Sequence, residues 1–133
     1  MKGEISLFIH ATEDEERIIA SIFEVLRLNE SENVFSFQRL TGHYGNPICY
    51  AKMNLSGKEV FKILGAILGA LNPLDRDHLE RNVEDFLDEK GNLHLRFNKQ
   101  DLCLKRIALS YSGGVKISVK IKKENLLKLL RGE

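Results

Sequence analysis

Ser112-Gly113-Gly114-Val115-Lys116-Ile117-Ser118-Val119-Lys120-Ile121-Lys122 carries the plainest structural signal in the chain. Val115, Ile117, Val119 and Ile121 fall on one side of an extended backbone, and Lys116, Ser118, Lys120 and Lys122 on the other. That period of two marks a strand with one face buried and one face wet. Ser-Gly-Gly is a hairpin turn signal, so the segment before it, Ile107 to Tyr111, is expected to be a strand as well. A sheet made of such strands needs helices on only one of its faces.

The same alternation recurs upstream. Ile5, Leu7 and Ile9 alternate with Ser6, Phe8 and His10, and Leu93, Leu95 and Phe97 alternate with His94, Arg96 and Asn98. Residues 34 to 41 and 48 to 55 bracket the loop Gly42-His43-Tyr44-Gly45-Asn46-Pro47 and should pair antiparallel, with Phe35, Phe37 and Arg39 on one face of the first and Cys49, Ala51, Met53 and Leu55 on one face of the second. Between the strands lie helical signals. Thr12 and Glu15 form a capping box, with Glu13 to Glu16 in the first turn, where the helix dipole favours negative charge. The helix should run to about Arg27, with Ile18, Ile19, Ile22, Phe23 and Leu26 as its apolar stripe. Ser56 and Glu59 open a second helix, striped by Val60, Phe61, Leu64, Ile67 and Leu68 and ending near Asn72-Pro73. Asp75 to about Leu87 reads as a third, with Leu79, Val83 and Phe86 facing inward. A short irregular or helical step spans Lys99 to Lys105, and Glu124 to Leu130 closes the chain with a helix. The fold class is α+β: a mostly antiparallel sheet with helices packed on one face, in a single domain of 133 residues.

Composition narrows the function. Hydrophobic residues at 43% and charged residues at 29% are globular proportions. The longest apolar run, Ile63 to Leu71, is far short of the ~20 residues that span a bilayer. Met1-Lys2-Gly3-Glu4 carries an acid where a signal peptide would want bases, and the apolar stretch after it stops at His10, so the expectation is a cytoplasmic protein without membrane contact. Cys49 and Cys103 read as buried, inert thiols, and four scattered histidines give no metal-ligand spacing. No phosphate loop with a following Lys-Ser/Thr and no nucleophile elbow is present. His10 beside Glu13, Asp14 and Glu15 better suits a strand-to-helix junction than an acid-base pair. The chain therefore reads as a non-enzyme with no cofactor and no metal.

The net charge of +1 hides a division along the chain. Residues 1 to 33 sum to −5 and 75 to 90 to −4, both blocks coinciding with helices, while 34 to 74 sum to +3 and 91 to 123 to +7, coinciding with strands and turns. A sheet face bearing Lys52, Arg96, Lys116, Lys120 and Lys122, with Tyr50, His94 and His10 nearby, suits phosphates and unstacked bases. Alternating lysines also keep an outward strand face soluble, and the sequence pI of 7.8 points to modest, salt-sensitive affinity. Tyr44, Tyr50 or the imidazoles would stack, and Asn46, Gln38 or Gln100 would reach base edges. The Gly42 to Pro47 loop displays an imidazole, a phenol and an amide on a tight turn, although the same residues suit an ordinary hairpin connection.

Ile9-His10-Ala11-Thr12-Glu13-Asp14-Glu15-Glu16, Thr41-Gly42-His43-Tyr44-Gly45-Asn46-Pro47-Ile48 and Gly91-Asn92-Leu93-His94-Leu95-Arg96-Phe97-Asn98-Lys99-Gln100 together resemble the archaeal RNA-binding-domain family of predicted exosome subunits. That family is similar in fold to the ribosomal protein that binds 5S RNA. The resemblance implies RNA as partner, no catalysis, and a role in RNA processing or degradation beside exosome or ribosomal proteins. Its pattern falls on His10, His43, Tyr44, Gly45, Asn46, Arg96, Lys99 and Gln100. The resulting RNA-binding candidates are Arg39, His43, Tyr44, Asn46, Lys52, Arg96, Lys99, Gln100, Lys116 and Lys120. The alternative use of the same open face is a protein-protein interface or a homodimer.

Overall fold

The computed structural model describes residues 2–29 and 33–132. Five strands, β1 (Gly3–His10), β2 (Ser36–Thr41), β3 (Pro47–Leu55), β4 (Asn92–Phe97) and β5 (Val115–Lys120), form one sheet in the order β2-β3-β1-β5-β4, with every neighbouring pair antiparallel. Six helices, α1 (Glu15–Val25), α2 (Gly57–Ala70), α3 (Pro73–Arg81), α4 (Val83–Phe86), α5 (Lys99–Cys103) and α6 (Lys123–Leu130), complete the described elements. The α+β class read from alternation is the observed one.

Alternation is expressed as burial. Ile5, Leu7, Ile9, Cys49, Ala51, Met53, Leu93, Leu95, Phe97, Val115, Ile117 and Val119 all point to one side and are buried. They share a single core cluster with Ile18 and Ile22 of α1, Val60, Ile63, Leu64 and Ile67 of α2, Leu79 of α3 and Leu126 and Leu130 of α6. Truncating one such leucine to alanine costs typically ~2–5 kcal/mol, so the helical layer is fixed to this side. Within α2 the buried stripe takes Ile63 in place of Phe61, which is half-exposed.

Several expected boundaries move for identifiable reasons. Asp14, not Thr12, caps α1, accepting from the Arg17 N–H at 3.1 Å. Glu13 is drawn back to the His10 N–H at 2.9 Å, which postpones the helix start. The third helix is broken at Asn82, whose N–H and side-chain amide both close on the His78 carbonyl. Residues 107 to 111 are not a paired partner of β5: they meet the outer edge of β4 through one bridge, Phe97 to Leu109. The chain then crosses the end of β4 to enter β5, and Ser112-Gly113-Gly114 is the crossing rather than a hairpin turn. Cys49 is buried while Cys103 is partly exposed, and both are free thiols.

The crossing depends on Gly114. Its φ is +74°, and a Cβ there would stand 2.2 Å from the Phe97 carbonyl oxygen. Gly114→Ala combines the left-handed penalty of about 1–2 kcal/mol with a backbone collision, so its melting temperature should fall by several degrees relative to wild type. A Gly114→Ala protein that melts with wild type would show that the crossing is not held as described.

Candidate nucleic-acid interface

Strand register arranges the uncovered face in rows that run across the sheet. Ser36, Lys52, Ser6, Lys116 and Arg96 form one row through all five strands. Gln38, Tyr50 and Phe8 form the next, and Leu40, Ile48 and His10 the one beyond it. On the other side of the cationic row stand Asn54, Glu4, Ser118 and His94. The Phe8 and Tyr50 rings lie 4.9 Å apart at 41°, and Phe8 is 52% exposed. An aromatic pair left in water beside a row of cations is the informative departure from an ordinary wet strand face.

A mismatch of strand lengths hollows this face. β5 pairs with β1 only as far as Leu7 opposite Val115, so β1 continues to His10 without a neighbour on that side. The carbonyl of Phe8 accepts instead from Lys99 Nζ at 2.8 Å, and the same ammonium meets Glu13 Oε1 at 2.8 Å. Burial alone would raise the Glu13 carboxyl, but the His10 N–H and the Lys99 ammonium outweigh it and hold the group below the ordinary glutamate range. Above this repair sits a depression of about 540 Å³ with Ser6, Phe8, His10, Tyr50, Arg96 and Lys116 in its lining and Gly113-Gly114 among its wall residues.

The candidates read from sequence separate into groups. Lys52, Arg96, Lys116 and Lys120 stand on the open face. Lys52 approaches Glu4 at 3.4 Å, whereas Arg96, Lys116 and Lys120 have no ion pair among the described residues. Lys122 lies past the end of β5 as the residue before α6, not on the sheet. Arg39 is opposite Cys49, hence on the helix side, and its guanidinium binds Glu15 at 2.6 Å. Lys99 is committed to Phe8 and Glu13, and Gln100 lies at the start of α5 beside α1, away from the rows. His43, Tyr44 and Asn46 occupy the loop between β2 and β3, where Tyr44 is 91% exposed and Gly45 has φ +77°. The Asn46 side chain folds over Gly42, so it supports the loop as well as facing solvent.

The +7 of residues 91 to 123 overstated the charge of the sheet. Lys105 pairs with Glu24, Arg106 reaches Asp101 and Lys123 pairs with Glu84, all within the helical layer and its loops. His94 is likewise engaged, with Asp88 at 2.8 Å and Ser118 at 3.0 Å. That contact, with the N–H groups of Asn92 and Lys90, holds the Asp88 carboxyl far below the usual range. Sequence reasoning missed Phe8 and Leu40 as site residues. The signal for Phe8 was present: a large aromatic in a slot that alternation assigns to water.

The model of the family described as RNA binding matches residues 3–123, and the chain belongs to that family. An RNA-binding protein of Pyrococcus abyssi is 30% identical over 136 residues, covering 96% of this chain and 88% of the relative. The crystal structure of a DUF54 protein from Sulfolobus solfataricus superposes with a TM-score of 0.85 at 24% identity, over 99% of this chain and 96% of that one. A DUF54 protein from Archaeoglobus fulgidus gives a TM-score of 0.76 at 25% identity, over 98% and 96% of the two chains.

Lys99→Met isolates the repair beneath the depression. It leaves the Phe8 carbonyl without that donor and Glu13 without its cation, for an expected loss of about 1–3 kcal/mol. Because the folded Glu13 pKa is depressed, its contribution is full above the ordinary carboxylate range and fades as pH falls through the lowered value. The gap in denaturant stability between wild type and Lys99→Met should therefore be widest near neutral pH and narrow below pH ~4. A gap independent of pH would remove the ion pair as its source.

Proposed function

We propose that this protein binds RNA without catalysis through the uncovered face of its sheet, as a cytoplasmic accessory factor in RNA processing or degradation or in ribosome-related work, alongside exosome or ribosomal proteins. The observation that carries the reading is the row containing Lys116 and Arg96, cations with no acidic partner among the described residues, running beside the Phe8–Tyr50 pair in a member of an RNA-binding family. The acids nearest this face support a binding role over a hydrolytic one: Glu4, Glu13 and Asp88 are each already engaged, by Lys52, Lys99 and His94.

A second reading, a protein-binding surface, draws on β2 and the segment leading into it, where Phe37 of the strand is 46% and Val34 before it 76% exposed. Salt separates the two. Two or three phosphate contacts give a slope of log affinity against log salt of about −1.4 to −2 for single strands, whereas an apolar interface is nearly insensitive.

In filter binding against mixed RNA, Arg96→Ala with Lys116→Ala should weaken affinity across sequences and flatten the slope by roughly 1.4. Melting should be nearly unchanged. Unaltered binding by this double variant would exclude the open face. Tyr44→Ala tests the loop separately: a contribution from stacking predicts weakening of at least ~5-fold, and wild-type affinity would reduce the loop to a connection.

A further inference from the structure

We infer that the depression between β1, β3 and β5 is a seat for one unstacked nucleotide, with its base against Phe8 and Tyr50 and phosphates of the same strand on Lys116 and Arg96. The ligand class is then single-stranded RNA lying across the strands. This rests on the RNA-binding reading above and adds to it the strandedness, the path and the residues that hold the base.

Register supplies the path. Side chains of one row are spaced by the distance between strands, ~4.8 Å, and successive rows on one face by two residues, ~6.8 Å. A strand of RNA laid along the Lys52-Ser6-Lys116-Arg96 row therefore has an aromatic row one step to its side, the side on which its bases must project. Ser6, at the middle of the cationic row, is 8% exposed, so no long side chain rises there to block the backbone between Lys52 and Lys116. Gln38 is directly opposite Tyr50 in the aromatic row and places an amide at the base edge.

The aromatic pair selects against a duplex. In A-form RNA the base faces are stacked on one another, and a protein meets only edges, hydroxyls and phosphates. Phe8 and Tyr50 lie among the lining of a depression and offer ring surface. That surface has a partner only when a base is splayed out of its helix. The opening lies where β5 stops pairing with β1 at Leu7 opposite Val115, and Gly113-Gly114, which carry no side chains, stand in its wall.

The test compares a short single-stranded oligoribonucleotide, the same strand carrying abasic positions, and its blunt duplex, at one salt concentration. The proteins are wild type, Phe8→Leu and Tyr50→Leu, each checked for wild-type circular dichroism and melting. Leucine keeps the apolar volume and removes the ring. Wild type should prefer the single strand to the duplex by at least tenfold. Phe8→Leu and Tyr50→Leu should each bind the single strand about 5- to 150-fold more weakly, and neither should distinguish abasic from intact strand. Equal binding of duplex and single strand, or variants that retain wild-type affinity, would overturn the nucleotide seat while leaving RNA binding by Arg96 and Lys116 in place. No binding of either RNA at low salt would instead sink RNA binding itself.

Discussion

A sheet covered on one side imposes a single constraint on the strands beneath the helices: alternate residues must be apolar enough to hold the helices, and the others must live in water. Inner residues of β1, β3, β4 and β5 obey and are buried, apart from Gly3 and Pro47 at the strand ends. Because those positions are fixed by packing, the outer ones are released from any structural duty toward the core. What occupies them is then informative. Lysine, serine and asparagine need no explanation at such positions, whereas Phe8, Tyr50 and Leu40 in adjacent rows do. Solvent-facing aromatics add nothing to the core and raise the risk of association, so their presence beside cations is best accounted for by a ligand with both charge and flat apolar surface.

The hollow in that face follows from the unequal lengths of β1 and β5. Ending β5 early leaves backbone groups of β1 unpaired, a cost the fold meets with one side chain brought from α5. Lys99 reaches the Phe8 carbonyl and, through Glu13, fastens the start of α1 to the end of β1. Its charge is thereby spent inside the structure. Lys99 holds the site in shape from beneath, which is a positioning role, while Arg96 and Lys116 keep their charges for whatever enters from above.

Sequence made the layers legible because burial in a one-sided sheet is written in every second residue. It was less informative about partners. The charge of a block says nothing of where each side chain is neutralised, and Lys105, Arg106 and Lys123 proved to be counterions of the helical layer. Arg39 shows the same limit at one residue: alternation had put it with Phe35 and Phe37 on the side that α1 occupies, so Glu15 was always nearer than any ligand on the open face. Phe8 failed to stand out for the opposite reason, since a lone aromatic in a polar slot is common and gains meaning only when register sets Tyr50 opposite it. Cross-strand neighbours are not encoded locally, and the ends of β5 and the crossing at Gly114 depend on a long-range contact with Phe97.

Acidic residues complete the electrostatic shape of the face. Glu4 stands in the row beyond Lys52 and Ser6, and Asp88 lies against His94 at the far end of β4. Both are on the side away from Phe8. At physiological salt, charges are screened over ~8 Å, comparable to the separation of neighbouring rows, so these acids repel a phosphate from their own side without cancelling the pull of Lys116 and Arg96. A polyanion approaching the sheet is thus offered one favourable track, bordered by acid on one flank and by aromatic surface on the other. For the proposed nucleotide seat, the asymmetry would turn the bases toward Phe8 and Tyr50, because the opposite flank offers carboxylates and one imidazole already held by Asp88 and Ser118.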